Sequence, residues 1–85
     1  MSRRRLLRRL SRGEVANVSF RDFTRLVEGF GFRLQRIRGS HRFYDHPAIR
    51  GVLSLQPLRG QAKPYQVRQF LALVDRYSLQ LEDES

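Results

Sequence analysis

Cysteine is absent from the 85-residue chain, which removes disulfide staples, thiolate-ligated zinc and a thiol nucleophile together. Two histidines remain as the only imidazole ligands, too few for a metalloenzyme to work with, so neither a metal nor any other cofactor is expected. Tryptophan is missing as well, and Lys63 is the single lysine against sixteen arginines. Acids are scarce: eight Asp and Glu face seventeen Lys and Arg, a net charge of +9, and the pI is near 11.5. That balance favours a polyanionic partner, nucleic acid first. No stretch approaches the roughly 18 to 20 apolar residues of a membrane span, and the Arg-rich start lacks the 7 to 15 or so apolar residues of a signal peptide. A cytoplasmic protein without a membrane partner is expected. A chain this short buries only about 60 to 65% of the surface it exposes unfolded, which excludes a large enzyme with a deep cofactor cleft.

What is present divides into three parts. Residues 1–18 hold six arginines, Leu6, Leu7 and Leu10, with no acid before Glu14 and no periodic apolar face long enough to pack. They are expected to form an Arg-rich, disordered N-terminal extension; the alternative is an arm that becomes a short helix on meeting RNA, membrane or a partner. Residues 19–78 form the domain. Ser19 followed by Asp22 is a capping-box-like start, and Phe20, Phe23, Leu26, Val27 and Phe30 recur at helical spacing before Gly31 stops the helix. Residues 32–38 then read as a strand, Gly39-Ser40 as a turn, 41–45 as the returning strand ended by Pro47, and 52–55 as a third strand. Pro57, Gly60 and Pro64 mark a loop. Val67, Phe70, Leu71, Val74 and Tyr77 fall on one face of a second helix opened by Pro64. The expected fold is α+β: an α-β-β-β-α two-layer sandwich with a three-stranded antiparallel sheet, two helices on one face and the other face open to a ligand. Residues 79–85, with Glu82, Asp83 and Glu84, read as a solvated acidic tail.

Charge within the folded part is also one-sided, eleven basic residues against four acids between positions 19 and 81. Arg33, Arg36, Arg38 and Arg42 flank the first turn, where planar guanidinium forks suit phosphate oxygens. Lys63, just before Pro64, is a further phosphate seat because a helix N-terminus adds its dipole and free N–H groups. Segment 39–47 (GSHRFYDHP) gathers both histidines, Tyr44 and Asp45. Strand alternation puts His41, Phe43 and Asp45 on one face and Arg42, Tyr44 and His46 on the other, without deciding which face meets water. A Ser40 nucleophile paired with His41 fails on the same geometry. On composition alone a strand histidine is more often structural, and His46 reads as a turn position before Pro47.

The ordered series Gly31-Phe32, Arg36, Gly39-Ser40-His41, Tyr44, His46-Pro47, the strand at 52–55 and Lys63-Pro64 resembles the HicA family, the small toxins of HicA–HicB type II toxin–antitoxin systems. The likeness spans residues 20–77. It implies a double-stranded-RNA-binding-domain-like fold and an mRNA interferase, a metal-independent endoribonuclease held silent by a HicB-like antitoxin. His41 becomes the catalytic histidine, since imidazole titrates close enough to neutrality to move the protons of 2′-hydroxyl attack on RNA. Arg36, Arg38, Arg42 and Lys63 become phosphate ligands, and Tyr44 or His46 an auxiliary acid or base. Two positions depart from the pattern: Arg42 stands where many relatives carry a second histidine, and Pro57 where many carry one after the third strand. Competing readings are a non-catalytic RNA-binding module, an inactive toxin homologue, and an adaptor that docks a protein through its Arg-rich head.

Overall fold

The computed structural model describes residues 1–82. Helix α2 (Phe20–Gly29) starts as its sequence demands: the Ser19 hydroxyl accepts the Asp22 N–H at 3.0 Å, and Asp22 sits at the positive end of the helix dipole. Its apolar face buries Phe20, Phe23, Leu26 and Val27. Strands β1 (Arg33–Arg38), β2 (His41–His46) and β3 (Ile49–Leu55) follow as an antiparallel meander with β2 in the centre. β3 begins earlier than expected because the turn at Pro47-Ala48 is tight enough for His46 to pair with Ile49. Pro64 occupies the first turn of α3 (Pro64–Arg76), where its missing N–H costs nothing. Phe70 of α3 is the hub of the core, meeting Phe23, Phe30 and Phe32 edge-on at centroid distances of 5.5, 5.5 and 5.8 Å. The α+β fold and the α-β-β-β-α order are as expected, with additions at each end and in the loop.

The loop after β3 folds into a small hairpin, β4 (Pro57–Leu58) and β5 (Gln61–Ala62). Both turn residues take positive φ, +53° at Arg59 and +78° at Gly60, the signature of the turn whose twist suits two strands joined by two residues. Backbone bonds from Phe20 N–H to Gly60 O (2.9 Å) and from Ala62 N–H to Val18 O (2.8 Å) tie this hairpin to the entry of α2. Strands of two residues leave no alternation to read.

The larger correction concerns residues 1–18, expected to be a disordered extension. Arg3–Ser11 form helix α1, capped by the Ser2 hydroxyl, and pack against α2. Leu6 and Leu10, one helical turn apart, are 1% and 2% exposed and join the same core as Phe23, together with Val15 and Val18. Two leucines suffice because the arginines act as clasps: Arg3 donates to the Arg25 carbonyl, and Arg9 to those of Ala16 and Asn17. Part of the expected acidic tail is docked too. Leu79 and Leu81 pack partly buried on the core, and the Glu82 N–H donates to Gly29 O at 2.8 Å. A Cβ on Gly29 would lie 2.7 Å from Leu81 Cδ1 and 2.9 Å from Arg3 Cδ, so glycine is what lets both termini converge on α2. Asp83, Glu84 and Ser85 of that tail lie outside the described residues. Among the described residues no helix is long and apolar enough to cross a membrane.

Candidate functional site

Alternation along β2 builds the site. Its inward residues meet the helical layer: Tyr44 is fully buried with Leu53 and Leu55 of β3, and Arg42 lies over the Phe20 ring at 5.6 Å. His41, Phe43 and Asp45 therefore point to the open face. Directly opposed residues share a face, and the register pairs Arg38 with His41, Arg36 with Phe43, Arg33 with Asp45, and Ser54 of β3 with Phe43. A bulge between Leu34 and Arg36 makes this possible: in a regular strand Arg36 and Arg38, three and five residues on, would both turn to the face opposite Arg33. All of edge strand β1 is exposed, Leu34 and Ile37 included at 39% and 53%, although they are paired with inward Tyr44 and Arg42.

The open face is graded along β2. At one end Asp45 is engaged by Arg33 (3.4 Å) and by the Gln35 amide (3.0 Å). In the middle the Arg36 guanidinium lies 4.8 Å over the Phe43 ring, and the His41 ring lies 6.1 Å from Phe43 at only 19° to its plane. At the other end exposed His41 and Arg38 flank the Gly39-Ser40 turn. Imidazole in water beside guanidinium groups can exchange a proton while its neighbours hold an anion. Among the described residues no group of three His, Asp or Glu is placed to hold a metal ion.

A polar chain fastens that turn to α3. Gln56 Nε2 donates to Ser40 Oγ (3.0 Å), Gln56 Oε1 accepts from Lys63 Nζ (3.1 Å), and the Gln56 N–H donates to Oε1 of buried Gln66 (3.0 Å). Lys63, expected as a phosphate ligand, is thereby held at the His41 end, at the N-terminus of α3. Sequence reasoning missed Gln56; one glutamine between a strand and a proline carries no spacing signal.

Three expected residues are placed elsewhere. Arg42 faces the helices. Tyr44 is in the core, its hydroxyl buried without a hydrogen-bond partner; burial pushes its pKa up, the charge of Glu28 adds to this, and Arg42 and Thr24 partly oppose it. His46 has both ring nitrogens in use. The Ala48 N–H can only donate, so Nδ1 accepts it (3.0 Å) and Nε2 carries the proton offered to Phe30 O (3.0 Å). With its ring 5.0 Å from Phe32, His46 pins the β2–β3 turn to the end of α2. Neither Tyr44 nor His46 is brought to His41, because an odd number of steps along β2, three and five, puts each on the opposite face.

Fold and site together define a small basic α+β domain with an open, arginine-bearing sheet face and an exposed histidine beside a Gly-Ser turn. The family model described as HicA toxin of bacterial toxin-antitoxin matches residues 20–75, from α2 to the last turn of α3. The chain belongs to the HicA toxin family. No curated protein and no solved structure matches it. Membership places the chain on the toxin side of a toxin–antitoxin pair, for which the family's partner is a HicB antitoxin; α1 and the docked segment 79–82 lie outside the matched region.

Proposed function

We propose that this toxin is a cytoplasmic, metal-independent endoribonuclease that cleaves messenger RNA with His41 as general acid and base. What carries the reading is the position of His41, exposed on the open sheet face with Arg36 and Arg38, in a chain of the HicA family. The 2′-oxygen forms a bond to phosphorus while the bond to the 5′-oxygen breaks; His41 takes the 2′-hydroxyl proton. Arg36 and Arg38 offset charge building on the phosphate, and Lys63 holds a neighbouring one at the N-terminus of α3. With Tyr44 and His46 on the other face, the proton needed by the leaving oxygen comes from water or from His41 itself. A HicB-like antitoxin silences the enzyme by covering His41 and the arginines, and acidic groups on it suit that surface.

The test is cleavage of an end-labelled single-stranded transcript in excess EDTA by wild type and His41→Ala, purified side by side. Cutting by wild type alone supports the reading. Equal cutting by both removes His41 from the mechanism, and binding without cutting by either favours a module that recognises RNA without cleaving it, or a toxin silenced by the departures at Arg42 and Pro57.

A further inference from the structure

Phe43 has no part in the chemistry above, yet it occupies the middle of the open face. We infer that Phe43, with the His41 ring beside it and Arg36 over it, is a stacking site for one unpaired nucleobase, so that the substrate is single-stranded where it is cut. The inference deepens the nuclease reading and rests on it only for what happens at the adjoining phosphate.

Several observations converge on this site. The phenyl ring is half-buried on a face that no helix covers, although core positions for aromatics are available on the other face and are filled by Phe23, Phe30, Phe32, Tyr44 and Phe70. Its neighbour across the ladder on β3 is Ser54, a side chain too small to cover it. The His41 and Phe43 rings are close to parallel, 19° apart with centroids separated by 6.1 Å, an offset stack on the open face rather than an edge-to-face core pair. The guanidinium 4.8 Å from the Phe43 centroid holds a ring face in the free protein, but Arg36 is itself exposed and stacks on a base as readily as on a phenyl ring, so it lifts off to let a base onto Phe43 and then caps that base.

Geometry then selects the state of the nucleic acid. Bases inside an A-form duplex are stacked on each other and offer a sheet surface only phosphates and 2′-hydroxyls, whereas single strands splay their bases onto aromatic side chains. A base resting on Phe43 brings its own phosphate alongside His41, within reach of Arg38. An aromatic face accepts any base, so this site selects for unpaired structure more than for sequence.

Phe43→Trp supplies the test, because the chain has no tryptophan of its own and excitation at the red edge, beyond tyrosine absorption, makes the introduced indole report alone over the three tyrosines. The probes are a 2′-O-methylated strand of roughly 12 nucleotides, which lacks the attacking hydroxyl, the same strand in a duplex, and an abasic strand with equal phosphate count. Expected are quenching of the indole by the single strand only, and tighter binding of the single strand than of the abasic strand to wild-type protein by about 5- to 150-fold, the worth of one base stack. Phe43→Leu closes that gap while Phe43→Tyr keeps it. Equal binding of base-bearing and abasic strands, or a duplex that binds as tightly and quenches as well, overturns the inference. Failure of the two readings is distinguishable: stacking without cleavage sinks only the nuclease, and His41-dependent cleavage with KM unmoved by Phe43→Leu sinks only the base site. Absence of any nucleic-acid binding, with a protein partner covering Phe43 instead, overturns both.

Discussion

Tyr44→Phe removes one oxygen from the centre of the protein and should make it more stable. The side chain is 0% exposed and its hydroxyl has no hydrogen-bond partner; Arg42 and Thr24 come near enough to bias the phenol without a sound hydrogen-bond geometry. Burying a hydroxyl in that condition costs about 1 to 3 kcal/mol on the scale of protein mutants. Phenylalanine keeps the ring and its packing, and the small void left by the oxygen takes back part of the gain. The net expectation is about 0.5 to 2 kcal/mol at neutral pH, or several degrees in Tm at roughly 4 to 8 °C per kcal/mol for a domain of this size. Alkaline pH gives a second handle. Burial raises the folded-state pKa of Tyr44 above 10.0, so the folded protein holds its proton where the unfolded chain releases it. The linked stability is whole below the unfolded value of about 10 and is lost as pH rises through the folded value. The variant lacks this loss, so its advantage widens above about pH 10. Urea titration followed by circular dichroism at both pH values reads the effect. A Phe variant that is less stable by 1 kcal/mol or more at neutral pH, or whose advantage stays flat into the alkaline range, refutes the account of an orphaned hydroxyl.

Other perturbations read the additions at the chain ends and the division of labour along β2. Leu10→Ala should cost about 2 to 5 kcal/mol in denaturant titration, whereas a solvated extension would lose nothing. Gly29→Ala should push the Leu81 and Arg3 side chains off α2, a displacement that offsets the roughly 1 kcal/mol that alanine gains in helix propensity, and adding Leu81→Ala should expose that gain as a rise in Tm. His46→Ala should lower Tm by leaving Phe30 O and Ala48 N–H unpaired, at about 1 to 3 kcal/mol, yet leave the rate of RNA cleavage per folded molecule unchanged; a rate loss like that of His41→Ala would restore His46 to the chemistry. Arg38→Ala should reduce the salt dependence of RNA binding by about one phosphate contact, while Arg42→Ala should not.

How far the fold could be read ahead depended on how local its causes are. The Phe-rich face of α2, the Ser19 cap and the turn chemistry at Gly39-Ser40 are each decided within a few residues, and they stand where the pattern puts them. Helix α1 is decided elsewhere. Six arginines around Leu6 and Leu10 look like a solvated segment until the acceptors of Arg3 and Arg9 are known, and those acceptors are backbone carbonyls at positions 25, 16 and 17. Gly29 poses the same problem, since its reason is the approach of Leu81 and Arg3 from opposite ends of the chain.

The candidate site was legible as a partition and not as a choice. Period two sorts segment 41–46 into His41, Phe43 and Asp45 against Arg42, Tyr44 and His46, but each set holds an aromatic, a histidine or a charge, so neither looks like the inner face. The deciding facts are tertiary: Leu53 and Leu55 of β3 face the same way as Tyr44, and the helical layer meets that side. Once Tyr44 is inward, Arg42 must leave the phosphate-binding set and His46 must leave the acid–base set, because residues an odd number of steps from His41 along a regular strand cannot share its face. The same rule brings Phe43 to that face beside His41, which makes an exposed phenylalanine, rather than a second histidine, the side chain that the sheet sets next to its one available acid–base group.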